Sequence, residues 1–250
     1  MQPNRHLYPR NLAHRGARLV APENTLAAFC AAERLGADGV ELDVWQCLSG
    51  ELVVTHDDDL AVWSDGQGRV TTTSLAALRE LDFGRHFSAA FAGERIPTLE
   101  EVIAALAPTM FINIELKTLS LQPIREVAGV AAIIARHNLY ARTIVSSFNP
   151  WVLRALQRQD PRIARGLLSY YRRPFIAGVY GWRWAQATAI HPAYDLLTAN
   201  QVIFSRQQGL PINTWTVNTA TAMRQCIEWQ VAGIITDDPA LLRQVLQMIK

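Results

Sequence analysis

The residues Gly39-Val40-Glu41-Leu42-Asp43-Val44 carry the clearest signal of how this chain folds. Apolar β-formers alternate with two carboxylates. Strand side chains alternate between faces, so Glu41 and Asp43 project one way while Val40, Leu42 and Val44 project the other. Burying a pair of carboxylates beside an apolar core costs several kcal/mol unless a cation or hydrogen bonds offset it. Such a strand belongs where something charged is handled.

Three other β-like runs end in the same way. Asn11–Ala13 leads into His14-Arg15-Gly16, Val53-Val54-Thr55 into His56-Asp57, and Ile112-Asn113-Ile114 into Glu115-Leu116-Lys117. One strand-end acid is ordinarily a helix cap or an ion-pair partner. Four ionisable strand ends with one directional logic point instead to a shared site, because parallel α/β folds gather their binding residues at the carboxyl ends of strands.

The rest of the chain supplies the units such a fold needs. A helix is predicted from Asn24 to Leu35, with Asn24 or Thr25 as N-cap, Leu26, Phe29, Ala32 and Leu35 on one face, and Gly36 closing it. Further strands are predicted at Met110–Leu116, Thr143–Ser147, Ile163–Leu168, Ala187–His191, Leu210–Val217 and Gly233–Thr236. Helical patterns cover Leu121–His137, Pro150–Gln159, Leu196–Gln208, Thr219–Gln230 and Asp238–Met248. Strands separated by crossover helices make a parallel sheet. About eight such units in a chain near 250 residues predict a TIM (β/α)8 barrel, with a doubly wound sheet as the competitor. No linker divides residues 1–250, so one domain is expected. Residues 58–97, rich in Gly and aromatics, break the βα rhythm and read as a small insertion packed over one end of the sheet. Ser49-Gly50 reads as a two-residue hairpin turn, which places Leu48 opposite Glu51 and Asp43 opposite His56.

Composition excludes several classes. Of 250 residues, 50% are hydrophobic and 18% charged, with a net charge of +2, which argues against disorder and offers nucleic acid no basic stripe. Cys30, Cys47 and Cys226 lack CxxC spacing, so a disulfide scaffold and a zinc cluster are not expected and a reducing compartment is. No run approaches the ~18 apolar residues of a membrane span, and residues 1–11 lack the apolar stretch of a signal peptide. A cytoplasmic protein is the expectation. The sequence leaves the oligomeric state open.

The chemistry follows from residue type. Glu41, Asp43 and Glu115 are three hard oxygen ligands that suit one Mg²⁺ or Ca²⁺ better than Zn²⁺. Arg15 and Lys117 suit phosphate oxygens, one as a fork and the other as a point charge. His14 and His56 can serve as acid and base near neutral pH. Together these groups specify metal-assisted phosphoryl transfer, with the cation and the basic residues stabilising charge on the phosphoryl oxygens. Trp215 ends a strand facing the expected site, as a substrate contact or as plain core. His191 before Pro192 is read the same two ways. Asp237 or Asp238 is expected to cap the last helix. Tyr170, Tyr171, Phe175, Tyr180, Trp182 and Trp184 form either a wall of the pocket mouth or an association surface.

The chain resembles the glycerophosphodiester phosphodiesterases, most of all their short cytosolic bacterial type. The matching residues are His14-Arg15-Gly16, Pro22-Glu23-Asn24-Thr25, Glu41-Leu42-Asp43-Val44, His56-Asp57, Glu115-Leu116-Lys117, Ser146-Ser147-Phe148, Trp215-Thr216-Val217-Asn218 and Thr236-Asp237-Asp238-Pro239, in the family's order. The resemblance implies a TIM barrel with an insertion after His56-Asp57, a divalent cation, and hydrolysis of glycerophosphodiesters to sn-glycerol 3-phosphate and an alcohol. It also implies catalytic roles for His14 and His56, metal ligation by Glu41, Asp43 and Glu115, and phosphate contacts by Arg15 and Lys117. The substrate's own 2-hydroxyl would attack phosphorus to give a cyclic phosphate that water opens. Two alternatives stand beside this reading: a related barrel phospholipase acting on lipid diesters, and a non-catalytic barrel that binds phosphate esters.

Overall fold

A computed structural model describes residues 8–170 and 181–249. Eight parallel strands form the barrel: β1 (Arg10–His14), β2 (Gly39–Gln46), β4 (Phe111–Leu116), β5 (Thr143–Ser147), β6 (Ala164–Ser169), β7 (Ala189–Pro192), β8 (Asn213–Thr214) and β9 (Gly233–Thr236). They run in the order β7-β6-β5-β4-β2-β1-β9-β8, and parallel bridges between Ile190 and Ile212 and between Ala193 and Trp215 join the two ends. The short β3 (Leu52–Val54) lies off this path, antiparallel to β2. The doubly wound alternative is thereby excluded.

Local chemistry sets most helix ends. Thr25 caps α1 (Leu26–Arg34), so the helix starts after Asn24 and leaves that side chain free for other work. The helix expected from Leu196 begins instead at Ala199. Thr198 and Gln201 form a capping box there, and Tyr194–Leu196 makes a separate 3-10 turn. The strand expected over Leu210–Val217 is regular only at Asn213–Thr214, since Pro211 has no N–H to give the ladder. Buried apolar side chains on the outer faces of β1, β2, β4 and β5 pack with α1, the helix Leu99–Ala105, the helix Ile124–Arg136 and the helix Pro150–Gln159, while a second cluster closes the other half of the ring. Each carboxyl-terminal strand end is thus anchored from behind.

The hairpin register differs from the sequence expectation by one residue. Val44 lies opposite Val54 and Trp45 opposite Val53, and the N–H of Thr55 donates to the carbonyl of Asp43 over 3.0 Å. Asp43 therefore faces Thr55 rather than His56. The loop is Leu48-Ser49-Gly50, three residues long, closed by the Cys47 N–H donating to Glu51 O at 2.9 Å. Gly50 takes φ +105°, the left-handed position that three-residue hairpin loops assign to glycine. His56 lies beyond the end of β3.

Residues 58–97 carry 3-10 turns, the four-residue helix Leu75–Leu78 and a small core of their own. Leu60, Val70, Leu78, Phe83 and Ile96 pack there with Trp45 and Val53 of the hairpin. The insertion after His56-Asp57 is therefore docked on the β2–β3 hairpin.

Candidate active site

The end of β1 begins the site. Arg15 has φ +56° and Gly16 φ +82°, so the chain turns sharply after His14. A Cβ on Gly16 would lie 2.7 Å from Cβ of Ala28, and only glycine lets this turn seat against α1. The turn aims the Arg15 N–H at Glu41 Oε2, 3.2 Å away, and sends its guanidinium to Glu23 Oε1 at 2.6 Å. Arg15 Nε also lies 3.3 Å from Asp43 Oδ2.

Parallel register then stacks the acids. Asp43 of β2 pairs with Glu115 of β4, and Glu41 lies one pleat below on the same face. Glu41, Asp43 and Glu115 each bring an oxygen within 4.8 Å of the others, with exposures of 4%, 1% and 7%. Burial and then the charges of Asp43 and Glu115 push Glu41 well above its ordinary value. Burial raises Glu115 to about 7 against the pull of Lys117. Burial would raise Asp43 too, but Lys117 and Arg15 outweigh it and hold that carboxyl low. Lys117 Nζ sits 2.8 Å from Glu115 Oε1 and 3.2 Å from Asp43 Oδ1. Asn24 donates Nδ2–H to Asp43 Oδ2 at 2.9 Å and accepts the Asp43 N–H at 3.3 Å. Asn24 positions a carboxylate, and Thr25 alone is the helix cap.

This donor set fits a divalent cation. Three buried hard oxygens, with two proton affinities raised first by burial and then by neighbouring carboxylates, are a charge excess that a cation relieves. Arg15 and Lys117 now share that task.

Both histidines are backed by aspartates. His14 Nδ1 is 2.6 Å from Asp237 Oδ1, and its Nε2 lies 4.0 Å from Glu41 Oε2. Asp237 receives Asn218 Nδ2–H on its other oxygen at 2.6 Å, and Arg18 Nη1 is 3.5 Å from Oδ1. Burial lowers the His14 imidazole below its ordinary value, although Asp237 opposes the shift. His56 Nδ1 is 2.9 Å from Asp57 Oδ2. His56 follows Thr55, whose N–H donates to the Asp43 carbonyl at 3.0 Å, so it leaves the hairpin beside the acid-bearing end of β2.

The sequence reading missed two of these partners. Asp238 caps the last helix, Pro239–Gln247, which leaves Asp237 for His14. The signal was the doubled aspartate, since a cap needs only one. Asn218, four residues past a strand and exposed, had no signal beyond its place in Trp215-Thr216-Val217-Asn218.

The remaining candidates separate. Trp215 is half-buried, donates Nε1–H to the His191 carbonyl at 2.8 Å, and stands between Phe148 (5.6 Å, edge-on) and Tyr170 (5.9 Å, stacked). His191 is fully buried inside the barrel, 2.8 Å from the Asn213 amide nitrogen, with its pKa lowered to about 3 by burial. It is a core residue. Residues 171–180 of the aromatic segment lie outside the described residues. Trp184 meets Trp151 edge-on at 4.7 Å, and Trp182 packs on the main core. No helix among the described residues is long and apolar enough to cross a membrane.

Three buried carboxylates, two cationic side chains and two aspartate-backed imidazoles at the strand ends of a (β/α)8 barrel are an arrangement suited to phosphodiester chemistry. A sequence profile of the glycerophosphoryl diester phosphodiesterase family matches residues 14–241. The chain belongs to this family, and it is an enzyme of the phosphoric diester hydrolase class. A glycerophosphodiester phosphodiesterase of Caldanaerobacter subterraneus subsp. tengcongensis is 39% identical over 237 residues, spanning 92% of this chain and 95% of that protein. A glycerophosphodiester phosphodiesterase of Bacillus subtilis is 28% identical over 260 residues, spanning 98% and 88%. An Oleispira antarctica phosphodiesterase, solved with its product sn-glycerol-3-phosphate, matches with a TM-score of 0.88 at 27% identity over 96% of this chain and 97% of that one. The family depends on a divalent metal, and the buried acids are where this chain offers a place for it.

Proposed function

We propose that this enzyme hydrolyses glycerophosphodiesters to sn-glycerol 3-phosphate and an alcohol by acid–base catalysis between two histidines, with one Mg²⁺ or Ca²⁺ held by Glu41, Asp43 and Glu115. The observation that carries the mechanism is the matched engagement of His14 and His56. Each has Nδ1 on an aspartate, at 2.6 and 2.9 Å, which leaves Nε2 as the nitrogen that exchanges a proton with substrate. One imidazole takes the proton of the glycerol 2-hydroxyl as that oxygen attacks phosphorus, and the other protonates the leaving alkoxide. Water then opens the cyclic phosphate with the proton transfers reversed.

Arg15 and Lys117 hold the phosphoryl oxygens. Both also lie against Asp43, at the carboxylates that would hold the cation, so their charges face the place where the diester would meet it. When bound, the cation supplies Lewis-acid stabilisation of charge on the phosphoryl oxygens. Trp215, with Phe148 and Tyr170 beside it, offers an apolar wall for the glycerol carbons. The barrel and its insertion act as one domain, and the free thiols of Cys30, Cys47 and Cys226 suit a cytoplasmic setting.

The test is release of glycerol 3-phosphate from glycerophosphocholine, with and without EDTA and with Mg²⁺ or Ca²⁺ restored. Turnover that is lost in chelator and returns with metal supports the reading. Undiminished turnover by metal-stripped enzyme rejects the metal, and no turnover under any condition rejects the substrate.

A further inference from the structure

His56 stands past the end of β3, where no ladder bond fixes it, and its side chain is 30% exposed against 13% for His14. Two indoles hold it nonetheless, one directly and one through Asp57. Trp45 of β2 donates Nε1–H to the His56 carbonyl over 3.1 Å. Trp63, in the 58–97 insertion, donates Nε1–H to Asp57 Oδ2 over 2.6 Å. That same oxygen is the one 2.9 Å from His56 Nδ1. A single carboxylate oxygen is thus held between an imidazole and an indole.

Trp63 is itself anchored. It packs against the insertion core of Leu60, Val70 and Phe83, and its ring meets His86 edge-on at 5.4 Å. The arrangement repeats the one behind His14, where Asn218 holds Asp237. The builders differ. Loops after β8 and β9 supply Asp237 and Asn218 for His14, whereas for His56 the second donor comes from the insertion. Burial tends to raise the Asp57 carboxyl, but the hydrogen bonds from His56 and Trp63 hold it below its ordinary value, in keeping with an ionised acceptor.

We propose that Trp63 is a positioning residue for His56, acting through Asp57, so that the insertion is part of the catalytic apparatus. The proposal rests on the reading of His56 as an acid–base group. An indole N–H fixes one carboxylate oxygen, that oxygen fixes the Nδ1 side of the ring, and Nε2 is thereby aimed at the reacting oxygen. Outer partners that orient a metal-ligating imidazole are typically worth about 10–100-fold, and the same order is expected for one that orients a proton carrier.

Trp63→Phe keeps an aromatic ring in the insertion core and removes only the donor. We expect it to lower kcat on glycerophosphocholine about 10-fold, with KM and melting temperature near wild type. In an Asp57→Asn background the same change should cost nothing further, because its route to His56 is already cut. Val70→Ala loosens the same core and leaves the donor in place; it should lower the melting temperature and spare kcat. The proposal is overturned if Trp63→Phe leaves kcat unchanged while His56→Ala abolishes it. It is equally overturned if the Trp63 and Asp57 effects multiply, or if Val70→Ala lowers kcat as much as Trp63→Phe. Should His56→Ala itself retain normal kcat, the catalytic reading of His56 falls first and this proposal with it.

Discussion

Asp237 Oδ1 lies 2.6 Å from Nδ1 of His14 although 223 residues separate them. The contact exists because β1 and β9 are neighbours in the barrel, with Ala13 opposite Thr236. It fixes which imidazole nitrogen faces the acids. Asp237→Asn offers the ring a different partner and permits the wrong tautomer. We expect kcat to fall about 10²-fold with KM little changed, consistent with loss of part of the ~10²–10⁴ that a positioned proton carrier supplies. Steady-state kinetics check this, and an unchanged kcat would make the contact merely structural.

His14→Ala and His56→Ala should each lower kcat about 10²–10⁴-fold while substrate Kd changes less, because Arg15, Lys117 and the cation still hold the phosphate. Arg15→Ala should weaken binding as well as rate, since its guanidinium meets the diester in both ground and transition states. Measuring kcat and Kd for the three variants side by side separates proton transfer from phosphate binding.

Without metal, Glu115 gives stability a definite pH dependence. Its folded-state pKa of about 7 lies above the ordinary 4.5, so between these values the folded chain keeps a proton that the unfolded chain gives up. The contribution is fully present below about pH 4.5 and is lost as pH rises through 7. A shift of this size corresponds to about 3 kcal/mol. In EDTA the wild type should therefore lose stability relative to Glu115→Gln across that window. Saturating Mg²⁺ or Ca²⁺ should reverse the trend by favouring the ionised acid. Denaturant melts of both proteins at pH 5 and pH 8 read the difference, and parallel pH profiles in EDTA would contradict it.

Gly16→Ala places a methyl 2.7 Å from Ala28 Cβ at φ +82°. We expect a loss of about 1–3 kcal/mol in stability, with weaker substrate binding because the turn that orients Arg15 must shift. A melt and a KM determination on the same preparation test both effects.

Alternation within single segments was legible from residue order. Glu41 and Asp43 share a face because a strand repeats every two residues, and four ionised strand ends followed by helices imply parallel strands and one common rim. Those inferences use short-range geometry, which a linear sequence carries. The same rule failed by one residue at the hairpin. Register there hangs on whether the turn holds two residues or three, and Gly50 in a left-handed conformation made it three. Either Asn24 or Thr25 could cap α1 on local grounds, and Thr25 does; what local order could not show is that Asn24 goes to Asp43, which approaches only once β2 lies beside the loop after β1. The doubled aspartate left one acid spare, but that Asp237 meets His14, and that Trp63 meets Asp57, was beyond reach for the same reason. Each bonds a carboxylate or an imidazole brought close by ring closure or by docking of the insertion. A hydrogen bond depends on distances within a few tenths of an ångström, and those distances are set by packing of the whole chain rather than by spacing along it.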